Sequence, residues 1–133
     1  MTCADSTREL AQLVAKAADD KLANRPVLVD VSSRLGLAEA FVVASAPSAR
    51  QVKAIAEEIM DVVARECGYR PAHIEGRTEA RWVLLDYGDL VVHILVDDDR
   101  DYYALESLWG DCPVTALIDV VPSPALLGAG GTR

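Results

Sequence analysis

Apolar residues recur at helical spacing in two segments of the chain. The first segment begins at Ser6, where Glu9 completes an S-x-x-E capping box, and it ends before Pro26. The second begins at Ser48 with another capping box, S-x-x-Q, and ends at Gly68, a residue suited to the left-handed position after a helix. The pattern predicts two helices. The apolar stripe of the second consists of Val52, Ile55, Ala56, Ile59 and Val63.

Short apolar runs, rich in β-branched residues, separate and follow these helices and predict strands. Two runs, Val27–Val31 and Ala40–Ser45, lie between the helices, and a brief one lies around His73–Glu75. A longer run, Trp82–Val96, is divided by a Gly88-Asp89 pair that is typical of a hairpin turn. A short helix is then expected from about Asp101 to Trp109.

This order of elements predicts a single-domain α/β (α+β) fold with a mixed five-stranded sheet flanked by helices. The crossover through the second helix indicates a parallel pair of strands, and the hairpin supplies an antiparallel pair. The domain is expected to span residues 1–112. The tail, residues 113–133, has no clear period and is expected to be at least partly disordered.

A two-residue turn at Gly88-Asp89 fixes which hairpin residues share a face of the sheet. One face is almost wholly apolar and is predicted to face the core: Val83, Leu85, Tyr87, Leu90, Val92, Ile94 and Val96. The other face is mixed: Trp82, Leu84, Asp86, Val91, His93 and Leu95. Two hypotheses fit the mixed face. Either a helix covers it and His93 is a satisfied buried histidine, or the face is a recognition surface.

The charge distribution favours a basic protein as the partner of this region. The chain of 133 residues carries a net charge of −8, and between Trp82 and Asp111 eight acids and one arginine give −7. A direct nucleic-acid partner would favour the opposite sign. There is no apolar run of membrane-spanning length and no secretory signal at the start, so a cytoplasmic protein is expected. The three cysteines show neither a disulfide nor a zinc spacing.

Three catalytic or ligand-binding alternatives are weaker. His93 could act as a general base oriented by Asp86, but no nucleophile accompanies it. Asp97–Asp99 could bind a hard cation, although three consecutive residues of a strand do not point one way and such runs are more often solvated turns. The turn before Ser48 could receive a phosphate but lacks the glycines and lysine of a phosphate loop. No cofactor or metal is expected.

Taken together, the motifs resemble the bacterial ribosomal silencing factor family, also called the Iojap-related family. The similarity runs from about Ser6 to Asp111 and includes ASAPSARQVKAIAEEI and HIEG. Its most specific part is W-x-x-x-D-x-G-D-x-x-x-H followed by R-x-x-Y-x-L-E-x-L-W. Those letters are Trp82, Asp86, Gly88, Asp89 and His93, then Arg100, Tyr103, Leu105, Glu106, Leu108 and Trp109.

The resemblance implies a nucleotidyltransferase-like fold without catalysis. Family members bind the large ribosomal subunit at the ribosomal protein numbered fourteen, block joining of the small subunit and lower translation when nutrients are scarce; some form homodimers. The same binding is expected here, with Trp82 as an anchor and Asp86 and Asp89 as partners of basic side chains. The expected partner-binding residues are Trp82, Leu84, Asp86, Asp89, His93, Arg100, Tyr103 and Trp109.

Two rival functions stay open. One is a magnesium-dependent nucleotidyl or phosphoryl transferase, which the resembled fold would permit. Two features weaken this alternative. Such enzymes have a Gly-Ser pair at the start of a helix, where this chain has Ala46-Pro47-Ser48. They also carry two acids in a D-x-D arrangement on a strand, whereas Asp97–Asp99 are contiguous and follow their strand. The other is a module that uses the mixed face only for self-association.

Overall fold

The three-dimensional structure is a computed structural model that describes residues 5–32, 38–103, 112 and 114–117. Within these ranges, no helix combines the length and the apolar character needed to cross a membrane. The elements in chain order are α1 (Asp5–Asp20), β1 (Asn24–Asp30), β2 (Ala40–Ala46), α2 (Ala49–Cys67), β3 (His73–Glu75), β4 (Trp82–Asp86), β5 (Leu90–Val96), α3 (Asp97–Tyr103) and β6 (Val114–Ala116).

The strands form one mixed sheet in the order β3-β4-β5-β2-β1-β6. The central pair, β2 and β5, is parallel and the other pairs are antiparallel, so the mixed sheet is confirmed. The sequence predicts five strands, and the described residues form six. The strand missed is β6, which pairs with β1 beyond residue 112, where the domain was expected to end. It has only three residues, all of them exposed, and so short a run gives too little periodicity to identify a strand.

The helix α2 has the ends and the buried stripe that its sequence predicts. Ser48 is the N-cap, with its Oγ accepting a hydrogen bond from the Gln51 amide at 3.3 Å, and Gly68 follows the helix with φ 73°. The five predicted stripe residues are buried, and Val62 joins them. Burial of this stripe supplies most of the stability of such a helix, because isolated helices are marginal in water.

The helix α1 departs from its predicted ends at both termini. It begins at Asp5, so Ser6 lies within the helix and the predicted N-cap was wrong. At the other end, the Ala23 amide donates to the Ala18 carbonyl and the Leu22 amide to that of Asp19, the double bond of a Schellman motif. Leu22, with φ 65°, occupies the left-handed position that usually holds glycine.

Both long helices contribute to one apolar cluster with the core face of the β4–β5 hairpin. Of the seven residues predicted for that face, six are buried and Tyr87 is half-buried. The opposite face carries a second, smaller cluster of Val29, Val31, Val43, Leu95 and Cys112. The sheet therefore has one face closed by α1 and α2, and another face on which a binding site can form.

Candidate protein-binding groove

The register of the β4–β5 hairpin is the predicted one. Leu84 is opposite His93, Asp86 is opposite Val91, and the Tyr87 amide donates to the Leu90 carbonyl at 2.8 Å. The Asp86 carboxylate accepts a hydrogen bond from the Gly88 amide at 2.8 Å, and Gly88 has φ 92°. The mixed face predicted from the sequence is therefore a real face of the sheet, and Asp86 also stabilises the turn that builds it.

One end of this face, at the carboxyl ends of β2 and β5, is buried. Leu95 is wholly inaccessible, and Arg100 of α3 is only 2% exposed. The Arg100 Nη1 donates to the Asn24 carbonyl at 3.0 Å and to the Ser45 hydroxyl at 3.3 Å. These contacts are internal to the protein, so the structure does not bring Arg100 to an exposed binding surface.

The other end of the same face forms a groove of about 430 Å³. Its interior is largely apolar, and four titratable residues, His73, Glu75, Asp86 and His93, line it as well. The His73 Nε2 lies 2.7 Å from a carboxylate oxygen of Glu75, and both side chains are exposed. The residues that line the groove are Val31, Ala38, Phe41, His73, Glu75, Leu84, Asp86, Val91 and His93.

His93 lies in the middle of a row of three rings that crosses β4, β5 and β2. The Trp82 Nε1 donates to its Nδ1 at 3.1 Å, and the Phe41 ring meets it edge-on with the centroids 5.1 Å apart. The Trp82 and His93 centroids are 6.0 Å apart. Because an indole nitrogen only donates, Nδ1 is the acceptor and the proton of the neutral ring is on Nε2. Burial lowers the pKa of His93 to about 4.

The mixed face is buried at His93 and open along the groove, so the recognition-surface hypothesis stays a prediction. His93 is 9% exposed and its Nδ1 is hydrogen-bonded, as expected of a satisfied buried histidine. Leu84, Asp86 and Val91 are half-buried and line the groove with it, as expected of a recognition surface. Within the described part of the chain, no hydrogen bond joins His93 to Asp86, so the arrangement of a general base and its orienting acid is not formed there.

The acidic run Asp97–Asp99 is the first turn of α3, so this helix begins four residues before the predicted Asp101. Acids are favoured at this position because they interact well with the helix dipole. Asp97 accepts two hydrogen bonds from the Asn24 side-chain amide, at 3.1 and 3.2 Å, and Asp99 pairs with Arg81. Among the described residues, no group of three or more His, Cys, Asp or Glu side chains is placed to hold a metal ion.

The structure brings together half of the eight predicted site residues. Trp82, Leu84, Asp86 and His93 lie on one face, although Trp82 supports the groove through His93 and does not line it. Asp89 is exposed in the hairpin turn, where its carbonyl accepts hydrogen bonds from the amides of Glu39 and of Ala40, the first residue of β2. The side chain of Tyr103 and the whole of Trp109 lie outside the described residues.

Sequence reasoning missed the contribution of the other strands to the groove. Phe41 is opposite Val91 across the parallel pair, a neighbour that no local pattern specifies. His73 and Glu75 alternate with the partly buried Ile74 on β3. That polar-apolar-polar alternation was the available signal that His73 and Glu75 share a face away from the core.

Comparison with known proteins agrees with the resemblance found in the sequence. Residues 4–126 match the family model described as "Ribosomal silencing factor during starvation". The chain is 43% identical over 116 residues to a ribosomal silencing factor RsfS from Halalkalibacterium halodurans, covering 87% of this chain and 98% of that protein. It is also 43% identical to RsfS from Bacillus subtilis over 110 residues, covering 83% and 92%.

The fold comparison gives the same result. A crystal structure of a Chromobacterium violaceum protein superposes with a TM-score of 0.74 at 36% identity, covering 78% of this chain and 86% of that one. The family match, the similar relatives and the shared fold are consistent with one another, and the chain therefore belongs to the ribosomal silencing factor family.

Proposed function

We propose that this protein represses translation by binding the large ribosomal subunit at the ribosomal protein numbered fourteen and blocking the joining of the small subunit. Its family is one of regulatory proteins rather than enzymes, and its relatives are named ribosomal silencing factors. The mechanism is steric occlusion, which takes place in the cytoplasm. It lowers translation when nutrients are limited. No covalent step is involved.

The observation that carries this proposal is the groove with an apolar interior and acidic side chains. Leu84, Val91 and Phe41 offer apolar area that a partner can bury. Asp86 and Glu75 add negative charge beside it. Ribosomal proteins are mostly basic, and opposite potentials on two surfaces steer their encounter and fix their orientation.

The test is co-sedimentation of the purified protein with isolated large subunits, followed by addition of small subunits. We expect the protein to pellet with large subunits and to reduce the formation of joined ribosomes. We also expect its affinity to fall as salt is raised, because exposed charges contribute to the contact. Failure to pellet at low salt would refute the proposed function.

A matched pair of variants tests the role of the groove. Asp86→Asn removes one charge but keeps an oxygen that can accept the Gly88 amide, so the hairpin turn is preserved. Asp98→Asn removes one charge from an exposed side chain on α3. We expect Asp86→Asn to weaken binding about five- to tenfold and Asp98→Asn to weaken it less than about twofold. Equal losses would indicate general electrostatic attraction rather than a specific groove.

Self-association is separated from ribosome binding by light scattering. We propose that the protein can form a homodimer, as the resemblance suggests, but that the groove binds the ribosome. Trp82→Ala should then weaken large-subunit binding, because it removes the hydrogen bond that holds His93, while leaving the mass of the free protein unchanged. A dimer lost together with ribosome binding would favour self-association as the purpose of this face.

A further inference from the structure

α3 is held on the sheet by polar contacts with Asn24 and Arg81, which lie earlier in the chain. Arg81, just before β4, makes a two-pronged ion pair with Asp99, with distances of 3.2 Å from Nε to Oδ2 and 2.8 Å from Nη2 to Oδ1. Asp97 is held by the Asn24 side chain, and Arg100 donates to the Asn24 carbonyl. Fork-shaped pairs of this kind fix direction as well as distance.

Asn24, which meets α3 with both its side chain and its carbonyl, stands between two residues with positive φ. Leu22 has φ 65° and Arg25 has φ 46°, values that cost energy for residues other than glycine. The pairing of β1 with β2 also shifts register between Asn24 and Val27. Backbone of this kind persists only where surrounding contacts stabilise it, and the contacts to α3 provide such stabilisation.

The contacts that hold α3 lie next to Trp82, the first of the three rings that lead into the groove. Arg81 directly precedes Trp82, and its carbonyl accepts a hydrogen bond from the Val96 amide at 2.9 Å, so its side chain and its backbone are both fixed beside α3. Trp82 packs against the small cluster of the second face and donates to His93. His93 and its edge-on neighbour Phe41 both line the groove.

We propose that Arg81 and Asp99 are positioning residues for the groove: their ion pair holds α3 on the sheet and fixes Trp82, which in turn orients His93. This proposal rests on the proposed function, since it concerns the same binding site. It extends that function by assigning a binding role to side chains that do not touch the partner. Binding then depends on a surface ion pair outside the groove, in which the Arg81 side chain is 59% exposed and the Asp99 side chain 22%.

The experiment compares Asp99→Asn with Asp98→Asn, two neighbouring changes that remove the same charge from the first turn of α3. In the free protein, NMR reports hydrogen exchange of the Trp82 indole proton, assigned by its loss in Trp82→Phe. Large-subunit affinity is measured for the same proteins by co-sedimentation. A charge-swapped protein, Arg81→Asp with Asp99→Arg, tests whether an ion pair of reversed polarity restores both properties.

We expect Asp99→Asn to speed exchange of the Trp82 indole proton and to weaken large-subunit binding about fivefold, while Asp98→Asn changes neither. The charge-swapped protein should recover at least part of the slow indole exchange and part of the large-subunit affinity. Equal behaviour of the two asparagine variants, or faster indole exchange with unchanged affinity, would overturn the positioning role. If the unmodified protein fails to bind large subunits, the proposed function fails instead, and the indole exchange still shows whether the ion pair fixes Trp82.

Discussion

Acidification should destabilise the folded protein through His93. Burial lowers its pKa from 6.5 to about 4, so between these values the unfolded chain binds a proton that the folded protein does not. Above pH 6.5, His93 is neutral in both states, so it does not lower the free energy of unfolding. As the pH falls from 6.5 towards 4, protonation stabilises the unfolded chain and the free energy of unfolding decreases. At roughly 1.4 kcal/mol per pKa unit, the loss is about 3 kcal/mol, a large part of the stability of a small domain.

The assay is urea unfolding followed by fluorescence at a series of pH values between 7.5 and 4, for the unmodified protein and for His93→Asn. An asparagine oxygen can take the place of Nδ1 as acceptor for the Trp82 indole, but it does not titrate. The acids and the histidine that share the groove, Asp86, Glu75 and His73, are present in both proteins, so their own contributions largely cancel.

The difference in unfolding free energy between the two proteins should change by about 3 kcal/mol across this range, with the unmodified protein losing more at low pH. A difference that stays constant from pH 7.5 to 4 would refute the reasoning. It would mean that His93 takes up its proton in the folded protein as readily as in the unfolded chain, and that the hydrogen bond from Trp82 does not depend on a neutral ring.

Three further changes test individual features of the fold by the same unfolding measurement. Leu22→Gly should raise the free energy of unfolding by up to about 1 kcal/mol, because glycine adopts the left-handed position after α1 without strain; a loss of stability would contradict this. Gly76→Ala should lower it by several kcal/mol or prevent folding, because the added Cβ would overlap the carbonyl oxygen of Trp82 and φ is 78°; near-normal stability would show that the turn relaxes easily. Tyr87→Phe should be neutral or stabilising by about 1 kcal/mol, since within the described residues the hydroxyl is buried without a hydrogen-bond partner; a clear loss would indicate that it has one.

The parts of the fold that could be predicted from sequence are those fixed by neighbouring residues. The hairpin register follows from the Gly88-Asp89 turn and the alternation on either side of it, and the ends of α2 follow from Ser48 and Gly68. Mixed composition on one hairpin face was enough to locate Leu84, Asp86 and His93 in the groove. These signals act over a few residues, where the spacing of side chains decides which of them meet.

The parts that could not be predicted depend on pairings between distant segments. Phe41 belongs to the groove only because β2 lies parallel to β5, and β6 is a strand only because the edge of β1 accepts it. The start of α3 was placed too late because an acidic run after a strand is usually a solvated turn. Here Asn24 and Arg81, both far away in sequence, hold Asp97 and Asp99 in helical structure.

The parallel pairing of β2 with β5 has a consequence for how the chain folds. Ala40 is paired with Leu90, fifty residues later, and Val27 with Ala116, further still. High contact order slows folding, because a long loop must be ordered before the contact forms. During synthesis, α1, β1, β2 and α2 emerge before the strand that completes their core, so their apolar surfaces need protection until residue 96 is made. This member of the ribosomal silencing factor family therefore completes its core only after most of its chain has been synthesised.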